Sequence, residues 1–492
     1  MIQKMTLLPG TPNDNNRDYL PEAIQGSDMV VNENGNNSQV YPARLQTFTD
    51  VLVGDEPDTW CEYVPASYDE RHKVPLVISM HGGLMTGWGQ AIYTSWTMVA
   101  DREGFIVLFP NAHQSRFWVL ETSQAVRDGF KSMQSEDLSM HEDPKDPRDN
   151  HDMNMVLALL ERMKAKYSID EGRVFMQGMS MGNLMTSQFA RHYGHLLAGK
   201  AGSAGPAYTS VLFDENDQPI NHAGALAVWQ TRVELDEVPP FFGGTTDEIV
   251  KRNREYWRRI NQCYALPQIK IIGEDNFAFY HGKHADQVFR DVKNRDHGQT
   301  LDDAEIVWDY LFSGVRRDQS GKIVHTDTRR ARTGDAFAIA LAAGKDKAYL
   351  NNRLVQLSGH TFMHQKLKYH GLQGKSKVRG TYMMAPISFV AQAFGASIAL
   401  QQDGRAGQIT LPDGRTLAFA QGNIGCVIDQ ELYSMFCEAI LCNGELYLPI
   451  QWIAQRVLNY QSSQCDGVVY ITDHYAELSL NMAHLIRDEV LC

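Results

Sequence analysis

A serine flanked by glycines has the clearest potential for chemistry in this chain of 492 residues. It lies in Gly178–Gly182 (Gly-Met-Ser-Met-Gly), between a predicted strand at 173–177 and a predicted helix at 183–192. Such a turn from strand to helix is too tight for side chains beside the serine, and it lifts the hydroxyl above the sheet edge. We therefore predict that Ser180 is a nucleophile. The alternative is a turn whose serine only caps the helix.

A second motif, His81-Gly82-Gly83, ends a predicted strand at 76–80. In this arrangement the loop after the strand supplies one backbone N–H to an oxyanion hole, and the residue after the nucleophile supplies the other. The sequence therefore predicts backbone donors at Gly83 or Leu84, together with Met181. A simple strand-to-helix turn is the alternative.

A serine hydroxyl needs an imidazole to accept its proton and a carboxylate to hold that imidazole in one tautomer. In this architecture the chain order is serine, acid, histidine. His297 lies between a predicted strand at 288–292 and a predicted helix at 301–312, so we expect it on a loop at the carboxyl edge of a sheet. We predict that His297 is the base and place His284 second. For either residue, a solvated surface histidine is the alternative.

The acid is expected in the charged tract that follows a predicted strand at 226–229. We predict Asp236, with Glu234 second and Asp247 third. An ordinary charged loop is the alternative interpretation of this tract.

Metal and cofactor sites are not expected. The acidic run at 136–152 offers hard oxygen ligands for calcium, but it has no EF-hand spacing and a solvated loop is the favoured interpretation. The cysteines form no C-x-x-C pair, which argues against zinc. A local disulfide is expected if the chain is exported, and buried free thiols otherwise. The seven cysteines are Cys61, Cys263, Cys426, Cys437, Cys442, Cys465 and Cys492.

The elements that must position these residues alternate between apolar strand-like runs and helical patterns. One apolar stripe at helical spacing lies within 152–166. Near-continuous apolar strands bounded by helices are typical of a mostly parallel sheet covered by helices on both faces. We therefore predict an α/β domain at 46–317, an extended lead-in at 1–45 and a linker at 318–335.

The remaining residues, 336–492, contain an internal repeat. Residues 386–392 (Pro-Ile-Ser-Phe-Val-Ala-Gln) recur as 449–455 (Pro-Ile-Gln-Trp-Ile-Ala-Gln), and each copy precedes an Asp-Gly pair, at 403–404 and 466–467. Asp-Gly between alternating segments indicates a hairpin. The repeat predicts a smaller, pseudo-duplicated α+β domain.

Charge and hydropathy limit the partners. The formal net charge of −13 argues against nucleic acid as a partner, and no apolar run is long enough to span a membrane. Residues 1–12 lack the apolar core and cleavage site of a secretory leader, which predicts an intracellular chain or one whose leader is absent.

Residues 58–315 resemble the α/β-hydrolases known as polyhydroxybutyrate depolymerase-like esterases, which include feruloyl and acetylxylan esterases. The resemblance rests on the Ser180 motif and on three further segments, residues 75–83, 104–110 and 169–175. It implies a serine hydrolase that cleaves carboxylic esters, small or polymeric, with the nucleophile at Ser180, the acid at Asp236 and the base at His297. It also implies a secreted or envelope-associated setting.

Residues 336–475 are similar to the copper amine oxidase N-terminal-like stalk domain of bacterial envelope enzymes, through the two proline-started repeats. This resemblance implies a spacer or an envelope-associated module, and no copper is expected. Two other hypotheses remain open. One is a peptidase or acyltransferase on the same scaffold, and the other is an envelope-binding scaffold protein with a vestigial hydrolase.

Overall fold

The computed structural model describes residues 42–113, 117–133, 144, 146–326, 332–370, 374–401 and 403–492. The predicted lead-in at 1–45 lies almost wholly outside the described residues, as do 136–143 and 145 of the acidic run. The chain forms two compact units. The first extends to Tyr264 and adds Phe279–Arg290 and Asn294–Arg332, and the second contains Ala265–Ala278, Asp291–Lys293 and Thr333–Cys492.

The described residues between 45 and 325 form twelve strands. They are β1 (Leu45–Asp50), β2 (Asp58–Tyr63), β3 (Val74–Met80), β4 (Ile106–Pro110), β5 (Ile169–Met179), β6 (Gly199–Ser203), β7 (Ala227–Val233), β8 (Gln268–Ile272), β9 (Asp275–Tyr280), β10 (Gln287–Val292), β11 (Val315–Arg317) and β12 (Ile323–His325). The α-helices of this region are α1 (Gly87–Tyr93), α2 (Trp96–Glu103), α3 (Gln124–Met133), α4 (His151–Lys166), α5 (Met181–Tyr193), α6 (Thr209–Leu212), α7 (Thr246–Asn261) and α8 (Asp303–Tyr310).

The sheet of the first unit has the strand order β1-β2-β4-β3-β5-β6-β7-β10. β3 is parallel to β4 and β5, and β6 is parallel to β5 and β7, whereas β1 and β2 add an antiparallel edge. The mostly parallel α/β sheet that the sequence predicted is confirmed. Because parallel strands end at the same edge, Met80 of β3 lies beside Gly178 of β5, and Met179 lies beside Ser203 of β6.

Local sequence explains why the helices form where they do. The Asn150 side chain caps α4 by accepting a hydrogen bond of 3.0 Å from the backbone N–H of Met153. Thr245 and Glu248 form a capping box at the start of α7. The apolar stripe predicted within 152–166 lies in the core, with its members fully or almost fully buried: Met155, Val156, Leu159, Leu160 and Met163.

The second unit is rich in strands. They are β13 (Ala338–Ala342), β14 (Lys347–Leu350), β15 (Arg353–Gln356), β16 (Phe362–His370), β17 (Lys375–Pro386), β18 (Ser397–Leu400), β19 (Ala406–Thr410), β20 (Thr416–Ala420), β21 (Gly425–Ile428), β22 (Glu431–Ser434), β23 (Ile440–Cys442), β24 (Glu445–Pro449), β25 (Gln461–Cys465) and β26 (Val468–Thr472). Its α-helices are α9 (Ile387–Ala393), α10 (Ile450–Trp452) and α11 (Leu480–Leu485), and π-helical turns lie at Ile453–Val457 and Ile486–Val490.

The two sequence repeats occupy equivalent places in this unit. Each begins where a strand passes into a helix, β17 into α9 and β24 into α10, and the two strands pair antiparallel with Ala385 opposite Leu448. Both predicted Asp-Gly hairpins are present, as β18–β19 and β25–β26. Asp466 and Gly467 have φ values of 42° and 73°, as the turn of such a hairpin requires.

Three further findings bear on the sequence expectations. The sequence predicts a linker without strands at 318–335, but β12 lies within these residues and pairs with β11. None of the seven cysteines forms a disulfide. Among the described residues, no helix has both the length and the hydropathy that crossing a membrane requires.

The central strands should dominate the stability of the first unit. Val77 of β3 is fully buried, whereas Val51 is 52% exposed. We expect Val77→Ala to reduce the free energy of unfolding by about 2–3 kcal/mol, because it removes buried methyl groups and leaves a cavity. The same change at Val51 should cost below about 0.5 kcal/mol. Thermal unfolding followed by calorimetry would measure both. Equal melting temperatures for the two variants would contradict this assignment of the core.

Candidate active site

Ser180 lies at the sharp turn between β5 and α5, with φ 55° and ψ −120°. The two flanking glycines are required by close backbone contacts. A Cβ at Gly178 would lie 2.1 Å from the carbonyl oxygen of Gly182, and a Cβ at Gly182 would lie 2.2 Å from that of Met80. The Ser180 N–H also donates to the carbonyl of Ser203 in β6 at 2.9 Å. The strained conformation of Ser180 is therefore held by contacts on both sides.

The structure brings the three predicted site residues together in one hydrogen-bonded chain. Nε2 of His297 lies 2.9 Å from Oγ of Ser180, and Nδ1 of His297 lies 2.9 Å from Oδ1 of Asp236. Because the Asp236 carboxylate accepts a hydrogen bond from Nδ1–H, the Nε2 lone pair faces the serine hydroxyl. Asp236 is 8% exposed, whereas the His297 side chain is 53% exposed.

Backbone contacts hold the two loops that carry Asp236 and His297 beside each other. The N–H of Leu235 donates to the carbonyl of Arg295 at 2.8 Å. The N–H of Asn294 donates to the Glu234 carboxylate at 2.9 Å. These bonds connect the segment after β7 to the segment after β10, so that the Asp236–His297 distance does not depend on the side chains alone.

The side chains or backbones of the lower-ranked candidates Glu234, Asp247 and His284 contact groups other than the Ser180–His297 pair. The Glu234 carboxylate accepts from the backbone of Asn294, and the Asp247 carboxylate accepts from Arg232 at 2.6 Å. His284 is exposed, and its backbone N–H donates to the carbonyl of Asn261. Of these candidates, Asp236 and His297 are the two whose side chains contact each other.

The surroundings of His297 favour its protonated form. Burial opposes protonation of the ring, but the hydrogen bond that the ring donates to Asp236, the charge of Asp236 and the charge of Asp296 outweigh it. Together they raise the pKa of His297 above its ordinary value. The imidazole is thus prepared to accept a proton from a neighbouring hydroxyl.

The predicted oxyanion donors lie next to this triad. Met181 is the first residue of α5, so its N–H has no acceptor within the helix. A Cβ at Gly83 would lie 2.7 Å from the Met181 sulfur, which places the two chain segments in close contact. Leu84 has φ 63° and turns the loop after Gly83. These contacts place the segment after β3 beside the residue that follows Ser180.

His81 is a positioning residue whose role the sequence did not reveal. Its ring is fully buried, Nδ1 donates to the carbonyl of Gly82 at 2.7 Å and Nε2 accepts from the N–H of Ala112 at 3.0 Å. The indole N–H of Trp118 donates to the His81 carbonyl at 2.8 Å. The sequence feature that could have indicated this role is the histidine directly before two glycines. Once buried, its imidazole needs hydrogen-bond partners for both nitrogens, and the neighbouring backbone supplies them.

A pocket of about 470 Å³, open solvent included, lies beside Asp236. Asn183 lines it and donates to the carbonyls of Ala204 and Gly205, so this side chain holds the loop after β6. Lys200 also lines it and donates to the Ser187 hydroxyl at 2.8 Å. Burial lowers the pKa of Lys200 to about 7.

Comparisons with known proteins agree with the chemistry of this site. The chain is 27% identical over 194 residues to poly(3-hydroxyalkanoate) depolymerase C of Paucimonas lemoignei, a match that covers 38% of this chain and 37% of that protein. It is 26% identical over 176 residues to feruloyl esterase B of Thermothelomyces thermophilus, a match that covers 35% of this chain and 50% of that protein. It is 26% identical over 148 residues to a bifunctional acetylxylan esterase/xylanase of Neocallimastix patriciarum, a match that covers 30% of this chain and 18% of that protein.

The chain thus spans half or less of the length of these relatives. No protein-family profile matches it. Among solved structures, it resembles an acetyl xylan esterase from Aspergillus awamori with a TM-score of 0.38 and 16% identity, covering 55% of this chain and 98% of that one.

The charge of Asp236 can be tested directly through the titration of His297. In Asp236→Asn the neutral amide no longer stabilises the imidazolium, so the pKa of His297 should fall. Histidine ring signals followed by NMR against pH would measure the change. The matched control is Asp247→Asn, which removes a neighbouring carboxylate bound to Arg232 and should leave the pKa of His297 unchanged. An unaltered titration in Asp236→Asn would contradict the contact.

Proposed function

We propose that this chain hydrolyses carboxylic esters, with Ser180 as nucleophile, His297 as general base and acid, and Asp236 as the residue that orients His297. The observation that carries the proposal is the pair of 2.9 Å contacts joining Oγ of Ser180, the His297 ring and the Asp236 carboxylate. This geometry fits nucleophilic catalysis by a serine whose proton passes to a neighbouring imidazole.

In the first half of the reaction, Oγ of Ser180 bonds to the ester carbonyl carbon while Nε2 of His297 accepts the hydroxyl proton. The carbonyl electron pair moves onto its oxygen, which the backbone N–H groups of Met181 and of Gly83 or Leu84 stabilise. When this intermediate collapses, the bond to the leaving alcohol breaks. His297 gives its proton to the departing oxygen.

In the second half, water replaces the alcohol. Nε2 of His297 accepts a proton from the water as its oxygen bonds to the acyl carbon, and the same backbone groups stabilise the new oxyanion. The bond to Oγ then breaks, and His297 returns the proton to Ser180. Throughout, the buried Asp236 carboxylate stabilises the imidazolium without accepting its proton.

The names of the relatives narrow the proposed substrates. They are a poly(3-hydroxyalkanoate) depolymerase, a feruloyl esterase and an acetylxylan esterase/xylanase. We propose a substrate of polyester, feruloyl ester or acetyl ester type. The His297 side chain next to Ser180 is about half exposed. This exposure supports the proposal that an ester group on a larger molecule can reach the reaction centre.

A spacer or envelope-associated role is proposed for residues 336–492, through which the chain would attach to the cell envelope. It rests on the resemblance of the two proline-started repeats to stalk domains. Cosedimentation of the full chain with cell-envelope material would test it, and a chain that stays entirely in the supernatant would contradict it.

Replacement of the nucleophile should abolish covalent labelling. We expect wild-type protein to react with a fluorophosphonate probe and to hydrolyse p-nitrophenyl esters, and Ser180→Ala to lose the label and at least about a thousandfold in kcat. The control is Ser210→Ala, which changes an exposed serine in α6 and should keep both activities. Equal labelling of Ser180→Ala and wild type would exclude the proposed nucleophile, and faster cleavage of peptide anilides than of esters would favour a peptidase.

The activity should also depend on pH through His297. The ring must be unprotonated to accept the serine proton, and its pKa is raised. We therefore expect kcat/KM to decrease as the pH is lowered through the raised pKa of His297, with the acid limb at higher pH than free imidazole would give. Rate profiles on a p-nitrophenyl ester would show this limb. A flat profile across that range would contradict the assigned base.

A further inference from the structure

We propose that Asp58, His113 and His151 bind one divalent transition-metal ion, with zinc as the favoured ion. The three residues come from separate elements of the first unit: the start of β2, the segment after β4 and the first residue of α4. One ligand atom from each lies within 4.8 Å of the others. This inference is independent of the proposed ester hydrolysis.

A single carboxylate oxygen is the centre of the cluster. Oδ1 of Asp58 lies 3.2 Å from Nδ1 of His113 and 2.8 Å from Nε2 of His151. Its other oxygen, Oδ2, accepts a hydrogen bond from the N–H of Leu52 at 3.3 Å, which orients the carboxylate. Ligand atoms at these separations can each reach a shared ion at the roughly 2.0–2.2 Å typical of zinc bonds to nitrogen and oxygen.

A second carboxylate lies at the far side of the His113 ring. Oε2 of Glu56 lies 3.3 Å from Nε2 of His113, while Nδ1 of the same ring faces Asp58. A carboxylate that holds the outer nitrogen of a histidine ligand is the usual support of a metal site.

The two histidine ligands lie side by side. The ring centroids of His113 and His151 are 3.7 Å apart. Both imidazoles are therefore close enough to share one ion with the Asp58 carboxylate.

The donor set indicates the class of ion. Two imidazole nitrogens and one carboxylate suit zinc and neighbouring transition metals, whereas magnesium and calcium prefer oxygen ligands alone. The Asp58 side chain is fully buried, and the His113 and His151 side chains are 14% and 22% exposed. The two histidine side chains are therefore partly accessible to solvent, from which water would complete the coordination.

A bound ion would join parts of the chain that also support the predicted oxyanion loop. The neighbouring Asp152 carboxylate accepts from the N–H of His113 at 3.1 Å and from that of Val119 at 2.8 Å. Next to His113, the N–H of Ala112 donates to the buried ring of His81. The ion thus has a structural role, in which it fastens the segment after β4 to β2 and α4.

Metal content and thermal stability test the proposal. Protein without an affinity tag is treated with a chelator, dialysed into metal-free buffer and mixed with Zn²⁺, Co²⁺ or Mg²⁺. We expect one equivalent of Zn²⁺ per chain by elemental analysis. At a free Zn²⁺ concentration about 100 times the Kd, the melting temperature should rise by roughly 5 °C. Co²⁺ should give a visible d–d absorption band, and Mg²⁺ should change neither measurement.

Three variants and one control complete the test. Asp58→Asn, His113→Ala and His151→Gln should each lose the bound equivalent and the stabilisation by zinc, while circular dichroism shows that they remain folded. The control is His222→Ala, because His222 belongs to another stacked pair, with His192 beside Glu121, and should retain the ion. The proposal is wrong if folded wild type binds no stoichiometric Zn²⁺ or Co²⁺, or if the three variants bind as much as wild type.

Discussion

The close backbone approach at the turn after β5 is the constraint on which the candidate site depends. The chain can pass from strand to helix there only if positions 178 and 182 have no side chain, because a Cβ at either would overlap a carbonyl group. The same contact presses the start of α5 against the end of β3. As a result, Ser180 and the loop that carries Gly83 are brought to the same edge of the sheet by one packing interaction.

A buried polar network beneath this edge determines where the histidine loop lies. The fully buried Gln177 side chain accepts hydrogen bonds from Ser79 at 2.8 Å and from the indole of Trp96 at 2.9 Å, and it donates to Gln299 at 2.8 Å. The hydroxyl of Ser203 donates to the carbonyl of Gly298 at 2.6 Å. The two residues that follow His297 are thereby fixed to the sheet. Buried hydrogen-bond networks of this kind favour a single arrangement.

Sequence patterns predicted the strands that have a continuous apolar run and missed a fully buried strand that has none. The apolar runs at 76–80, 105–109 and 226–229 are strands of the sheet. β6 escaped prediction because its sequence, Gly-Lys-Ala-Gly-Ser, has no apolar run. Its glycines are required by neighbours instead, since a Cβ at Gly202 would overlap the Asn183 side chain. Such a strand is specified by what packs against it, and no local pattern records that.

The sequence by itself determined the turn around Ser180 and the repeat that organises residues 336–492. Each follows from local backbone chemistry, in which a glycine, a proline or an Asp-Gly pair restricts the conformation of a few neighbouring residues. The tertiary structure alone decided that the Asp236 carboxylate, and not that of Glu234, faces the ring of His297. It also decided that Asp58 meets two histidines that are 55 and 93 positions away. Strand pairing and loop contacts set these distances, and spacing along the chain carries no information about them.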